Sequence, residues 1–248
     1  MSAAIPSASA PVRTRWALSD ASLEWLKWIA VAAMLLDHVN WFLFAGGGSP
    51  QHGTYPWMND VGRLAFPLFA LVFSINLARV LDSPDRNARA ARMFVRLFVA
   101  GVVAQLAYWV LRGYFWPLNV LATFAVAAAV ALLWQGPSTS LVRRAAAVGV
   151  FVVGGLLVEY WWIGVGLILA GTLVRRGPLL LSALPFLALL IPLCLLNGNA
   201  YALGALALAA ALAGTRWAPP RVPGLLHVVY AGHLWALVAV AVAFGRLA

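Results

Sequence analysis

Charged side chains are scarce in this sequence, and acidic ones are the scarcest. Only 10% of the 248 residues are charged, with seven Asp and Glu against 17 Lys and Arg, whereas 64% are hydrophobic. Soluble domains carry about 25% charged and roughly 45–50% apolar residues. A single soluble domain of this length has no core large enough for so much apolar surface. The composition therefore excludes an ordinary soluble enzyme.

Several chemical signals are also missing. Cys194 is the single cysteine, so neither an intrachain disulfide nor a cluster of thiolate metal ligands is expected. The chain has no Gly-rich phosphate loop ending in Lys, no metal-ligand spacing and no Gly-x-Ser-x-Gly motif. We therefore expect no metal cofactor. The net charge of +10 comes mainly from arginines between apolar runs, and no nucleic-acid partner is expected.

Apolar runs fill most of the chain, and a helix that crosses a bilayer needs about 20 such residues. The runs are 23–45, 61–81, 93–111, 117–134, 143–158, 159–174, 178–196, 199–214 and 225–245. They predict an all-α, polytopic transmembrane bundle of about nine, or ten, helices surrounded by membrane lipid. Residues 1–20 are interpreted as a disordered cytoplasmic lead and 21–248 as one transmembrane domain.

Two of the predicted breaks between helices are weak. The stretch 145–174 is interrupted only by Gly154-Gly155 and Glu159, and 178–214 only by Asn197-Gly198-Asn199. Both breaks are needed for the arginines to fall in alternate loops, as cytoplasmic retention of positive loops requires. The loops predicted to be cytoplasmic hold Arg79, Arg86, Arg89, Arg92, Arg96, Arg143, Arg144, Arg175, Arg176, Arg216 and Arg221. We therefore predict a multi-pass membrane protein with a cytoplasmic N-terminus.

Ionisable residues inside apolar runs are costly and are candidates for function. Lys27 and His38 are eleven residues apart in the first run, which places them on one helix face and about 16 Å apart along the axis. A cation near the inner surface and an imidazole further out would suit a tunnel that holds an anionic cofactor and transfers a proton. The alternative is a snorkelling lysine and a histidine bonded to a helix carbonyl.

Other polar residues add to this pattern. Asp37 points about 100° away from His38, and Arg63 is a candidate partner for it. Glu159 is either a second functional carboxylate or an interfacial residue at a turn. His233, in the last run, is by itself more often a packed hydrogen-bond donor than a catalyst. We expect the first, second and last helices to enclose a polar cavity, with Asn119 and Glu159 as further lining residues.

Four segments of this chain resemble the TraX family of membrane acetylases, which modify the pilin of conjugative F-type pili. The segments are Leu26-Lys27-Trp28-Ile29-Ala30 continuing to Met34-Leu35-Leu36-Asp37-His38; Gly62-Arg63-Leu64-Ala65-Phe66-Pro67-Leu68-Phe69-Ala70; Arg96-Leu97 with Gln105, Leu118-Asn119-Val120 and Thr123; and Tyr230-Ala231-Gly232-His233-Leu234. The family tends to have Pro where this chain has Ala231.

The resemblance implies a location in the bacterial inner membrane and acetyl-CoA as the acetyl donor. It implies that His38, with Asp37 and Arg63, forms the catalytic set, and that His38 acts as general base. The phosphates of the donor would be held by Lys27, Arg79, Arg92 and Arg96. The acceptor would be a pilin-like N-terminal amine, or a hydroxyl of another envelope component, a glycan or a lipid.

Two other classes of protein remain as alternatives. A polytopic transporter would show internal repeats and interrupted helices at matching positions in two halves. A non-catalytic membrane protein of pilus assembly would not need Lys27, His38 and Arg63 within the membrane. The sequence does not decide the oligomeric state.

The predicted orientation is open to a direct test. Reporter fusions in the Arg86 loop should report the cytoplasm, and fusions after Gly48 should report the outer side, because arginines are retained on the cytoplasmic side. The opposite pattern of reporter activity would overturn this orientation.

Overall fold

The computed structural model describes residues 18–44, 54–135, 140–174, 179–222 and 224–245. Within these ranges the chain forms ten α-helices and no strand. The helices are α1 (Asp20–Val39), α2 (Pro56–Gly62), α3 (Ala65–Leu81), α4 (Arg86–Arg112), α5 (Val120–Trp134), α6 (Leu141–Leu157), α7 (Trp161–Gly171), α8 (Leu179–Asn197), α9 (Gly204–Leu212) and α10 (Leu225–Ala243). The prediction of an all-α helical bundle is confirmed.

In the described residues α2 and α3 form one span, so the ten helices make up nine apolar segments. Four spans in the described residues are long and apolar enough to cross a membrane: Asp20–Phe44, Pro56–Leu81, Arg86–Arg112 and Leu225–Ala243. The first includes a π-helical turn, Asn40–Phe44, that continues α1. The other helices are shorter, and the 11 residues of α7 extend only about 16 Å.

Both weak breaks predicted from the sequence are present. The first lies between Leu157 and Trp161, and the second between Asn197 and the 3₁₀ turn that precedes α9. The helix start predicted at residue 93 is wrong, because α4 begins at Arg86. Arginine is a good helix former, so the helix continues beyond the end of its apolar run. The predicted turns at 46–50 and 136–137, with Arg175, Arg176 and residues 1–17 of the lead, lie outside the described residues.

The break between α6 and α7 is a tightly bonded turn. The backbone N–H of Leu118 donates to the Leu157 carbonyl at 2.8 Å, and that of Glu159 donates to the Leu118 carbonyl at 2.9 Å. The Thr123 hydroxyl donates to the Glu159 carbonyl at 2.9 Å, and Tyr160 adopts a left-handed φ of 60°. Irregular backbone inside an apolar bundle is tolerated when other protein groups satisfy it. These bonds hold the Glu159 side chain at a defined place in the bundle.

The segment that leads into α10 is bound to the first turns of α1. Ser22 Oγ donates to the Leu212 carbonyl at 2.7 Å, and the Trp28 indole donates to the Pro220 carbonyl at 3.3 Å. Trp25 packs its ring on Trp217 with centroids 5.1 Å apart. As a result α10 begins at the same end of the bundle as α1, and it packs along most of α4.

Helix α2 approaches α1 closely at Gly62. A Cβ at this position would overlap the Asp37 side chain. A Cβ at Gly149, in α6, would meet no atom within 4 Å. The two glycines therefore differ in what a methyl group would contact.

We predict that Gly62→Ala lowers the unfolding free energy by about 1–3 kcal/mol, the usual cost of overpacking, and displaces Asp37. Gly149→Ala is the matched control and should be neutral or stabilising by about 0.5–1 kcal/mol, because alanine favours a helix over glycine. Thermal unfolding of the purified protein in detergent measures both. Equal shifts of the two melting temperatures would contradict the close contact at Gly62.

Candidate active site

Two histidines from opposite ends of the chain form a hydrogen-bonded pair. His38 Nδ1 lies 2.6 Å from His233 Nε2, and the ring planes are 13° apart with centroids 4.9 Å from each other. His233 Nδ1 lies 2.8 Å from the Val229 carbonyl oxygen in its own helix. Tyr230 packs edge-on against both rings. The structure thus joins His38, which was predicted to be the general base, to His233, which was predicted to be a packing residue.

A second group of polar side chains surrounds Glu159. The Tyr108 hydroxyl donates to the Glu159 carboxylate, and Arg112 donates to the Tyr108 hydroxyl. Arg112 Nη1 lies 3.7 Å from Glu159 Oε1. The guanidinium also lies over the ring of Trp41, 5.3 Å from its centroid, and close enough to interact electrostatically with His38. Glu159 is therefore an ion-paired residue beside the histidine pair.

Asp37 and Arg63 lie close to each other without forming an ion pair among the described residues. Their charges interact electrostatically, and Asp37 also lies within electrostatic range of Glu159. Arg63 Nη2 donates to Asn59 at 3.0 Å, whereas its buried Nε has no hydrogen-bond partner in the part of the chain that the structure describes. The structure thus brings Asp37, His38 and Arg63 together around the end of α1, with Glu159 within electrostatic range of Asp37.

Asn119 lies apart from this group and joins α4 to α5. Its side-chain amide donates to the Gly101 carbonyl at 2.8 Å and to Gln105 Oε1 at 2.9 Å. Its side-chain oxygen accepts from the N–H of Leu121 at 3.0 Å, capping α5. These bonds occupy the side chain, and among the described residues no hydrogen bond joins it to His38, Asp37 or Arg63.

A cleft of about 360 Å³ lies at the end of the bundle where α4 and α10 begin. Of the described residues that line it, four are cations and none is a carboxylate. Lys27 is contributed by α1, and Arg89, Arg92 and Arg96 by α4; Asn76 and His227 are polar neighbours. We call this the cationic cleft.

The cations of the cleft differ in how they are compensated. Lys27 pairs with Glu24 at 2.6 Å, and Arg89 pairs with Asp85 at 2.7 Å. In the part of the chain that the structure describes, Arg92 and Arg96 form no ion pair. The buried Nδ1 of His227 also lacks a hydrogen-bond partner there. The cleft therefore presents uncompensated positive charge and a free imidazole nitrogen.

Arg79 is the one predicted donor-binding residue that does not line the cleft. It pairs with Asp20 at 2.6 Å, and Arg221 lies 3.7 Å from the other oxygen of that carboxylate. Arg221 also bonds Glu24 at 3.1 Å. These pairs hold the first turn of α1 against α3 and the segment before α10.

Several residues of these two sites were not predicted from the sequence. Arg89 follows a detectable pattern, because residues 89, 92 and 96 have the i, i+3, i+7 spacing of one helix face. Tyr108 and Arg112 are four residues apart and also share a face. Nothing in the sequence indicates that Glu159 and His38 lie near Tyr108 and Arg112, because these residues are on different helices.

Comparisons with known proteins identify relatives of this chain. A family model described as TraX protein matches residues 22–241. Two curated relatives are both named "Protein TraX". One is from Escherichia coli, with 39% identity over 112 residues. The other is from Escherichia coli strain K12, with 36% identity over 110 residues. Each match covers 44% of this chain and only 38% of the relative. No solved structure matches.

Proposed function

Because this chain belongs to the TraX family, as the match over residues 22–241 shows, we propose that it is a membrane-embedded acetyltransferase. It moves an acetyl group from cytoplasmic acetyl-CoA to an amine or hydroxyl acceptor at the outer face of the inner membrane. Its apolar helices and its family indicate a multi-pass membrane protein.

One observation carries the proposal. Helix α1 is continuous from Asp20 to Val39, with Lys27 in the cationic cleft and His38 in the histidine pair. The two residues share a face and are separated by about 16 Å along the axis. That arrangement suits a donor whose charged end and reactive thioester are joined by a long, thin pantetheine arm.

The cationic cleft supplies the chemistry for the charged end of the donor. Arginine binds phosphate with paired N–H donors, and lysine binds it as a point charge. Arg92 and Arg96 are free to do so, and Lys27 would exchange Glu24 for a phosphate. Arg79 is left out of this set, because Asp20 occupies it.

The histidine pair supplies a base for transfer. The acceptor nitrogen attacks the thioester carbonyl carbon, a carbon–nitrogen bond forms and the carbon–sulfur bond breaks. His38 accepts the proton that the amine loses and returns it to the departing thiolate, so that coenzyme A leaves as a thiol. Arg63, whose Nε has no partner among the described residues, would stabilise the developing oxyanion or position the acceptor.

The acceptor follows from the side of the membrane on which the histidine pair lies. With a cytoplasmic N-terminus, His38 is in the outer half of α1, within reach of an envelope component. A pilin-like N-terminal amine fits the family to which the chain belongs, and a glycan or lipid hydroxyl fits the same chemistry.

Donor binding gives the first test of this function. The purified protein in detergent should bind coenzyme A, and Arg92→Ala or Arg96→Ala should each weaken binding about tenfold or more, the effect of losing one charged hydrogen bond. Arg144→Ala is the matched control, because Arg144 lies over Trp134 and away from the cleft. Equal affinities for all four proteins would exclude the cleft as the donor site.

Acetyl transfer gives the second test. His38→Ala should lower transfer by about 10²–10⁴, the contribution of a general base, while coenzyme A binding is retained. The measurement is transfer of labelled acetyl groups to envelope components, identified by mass spectrometry, in membranes with matched protein levels. Wild-type transfer in His38→Ala would remove His38 as the base. No transfer by the wild type to any component would favour a transporter or an assembly protein.

A further inference from the structure

The contacts of His233 determine which of the two histidines donates the hydrogen bond between them. A carbonyl oxygen only accepts hydrogen bonds, so the 2.8 Å contact with the Val229 carbonyl requires a proton on His233 Nδ1. When one nitrogen of a neutral imidazole carries the proton, the other is an acceptor. His233 Nε2 is then the acceptor in the 2.6 Å contact with His38 Nδ1.

The proton between the rings therefore belongs to His38 Nδ1, and His38 Nε2 carries a lone pair. If His233 Nε2 were the donor, His233 would be doubly protonated inside an apolar bundle. Its partner His38 already lies within electrostatic range of the Arg112 guanidinium. A buried cation without a counter-ion is costly, and no carboxylate contacts His233 among the described residues. The neutral arrangement needs no counter-ion.

The ring geometry fits such a bond. An imidazole N–H lies in the plane of its ring, and the two rings are nearly parallel at 13°. Their centroid distance of 4.9 Å is the distance expected of rings that meet edge to edge along a short N–H···N bond. Rings stacked face to face would not bring two nitrogens to 2.6 Å at this centroid separation.

We propose that His233 is a positioning residue that holds His38 in the tautomer with an unprotonated Nε2. The Val229 carbonyl fixes His233, and His233 fixes His38, as the outer partner of a catalytic histidine sets which nitrogen is the base. This proposal rests on the acetyl transfer proposed above. It names Nε2 as the nitrogen that takes the proton of the acceptor.

The tautomer is observable without any activity. The protein labelled with ¹⁵N-histidine contains four histidines, and single replacements assign their ring signals by NMR in detergent. We expect the His38 signals of the wild type to show a protonated Nδ1 and an unprotonated Nε2. A protonated His38 Nε2 would overturn the proposal, whatever the enzyme assay shows.

Two variants of His233 test the consequence for transfer. His233→Leu removes the acceptor and should shift the His38 signals toward a protonated Nε2, with kcat lowered about 10²-fold or more and the KM for acetyl-CoA unchanged. His233→Gln keeps an oxygen that accepts a hydrogen bond near the position of Nε2, so it should restore both the tautomer and most of kcat.

The outcomes separate this proposal from the proposed function. Wild-type kcat in His233→Leu would overturn the positioning role, as would equal kcat losses in the Leu and Gln variants. If the wild type transfers no acetyl group, the proposed function fails, and the wild-type NMR signals still decide the tautomer. If His233→Leu does not fold, that same wild-type spectrum and the Gln variant provide the test.

Discussion

Polar groups inside an apolar bundle must bind one another, because no bulk water is present to satisfy them. This constraint explains most of the polar contacts in the structure. The amides of Gln105 and Asn119 bind each other and the adjoining backbone between α4 and α5. Ser74 bonds the Ile168 carbonyl between α3 and α7 at 2.8 Å. Each such contact fixes how two helices are rotated toward each other.

The same constraint distinguishes the two candidate functional regions. Near His38, the histidine pair and the group of Tyr108, Arg112 and Glu159 are each bonded within the bundle, so their geometry is preorganised before any ligand arrives. In the cationic cleft, Arg92 and Arg96 remain without a described carboxylate partner at an exposed end of the bundle. A region of this kind attracts an anion, whereas the first is suited to proton transfer. Helices α1, α4 and α10 connect the two regions.

Many features of the fold follow from local sequence patterns. Apolar runs located the helices, and arginine spacing required both breaks near Glu159 and Asn197, which the structure confirms. The pattern failed at the start of α4, because hydropathy detects the apolar part of a helix and the helical backbone continues to Arg86. The Lys27–His38 relation was likewise predictable, since both lie on one helix whose rise and rotation per residue are constant.

Contacts between helices were not predictable in this way. His38 and His233 are 195 residues apart, and Tyr108 and Glu159 are 51 apart. Which side chains meet depends on the rotation and depth of each helix against its neighbours, and those are determined by packing over the whole bundle. The sequence by itself therefore determined the helices and the order of polar groups along each of them. Only the tertiary structure decided that His233 binds His38, that Asn119 bonds α4 to α5 and that Arg79 lies outside the cleft, because those outcomes depend on distances between separate helices.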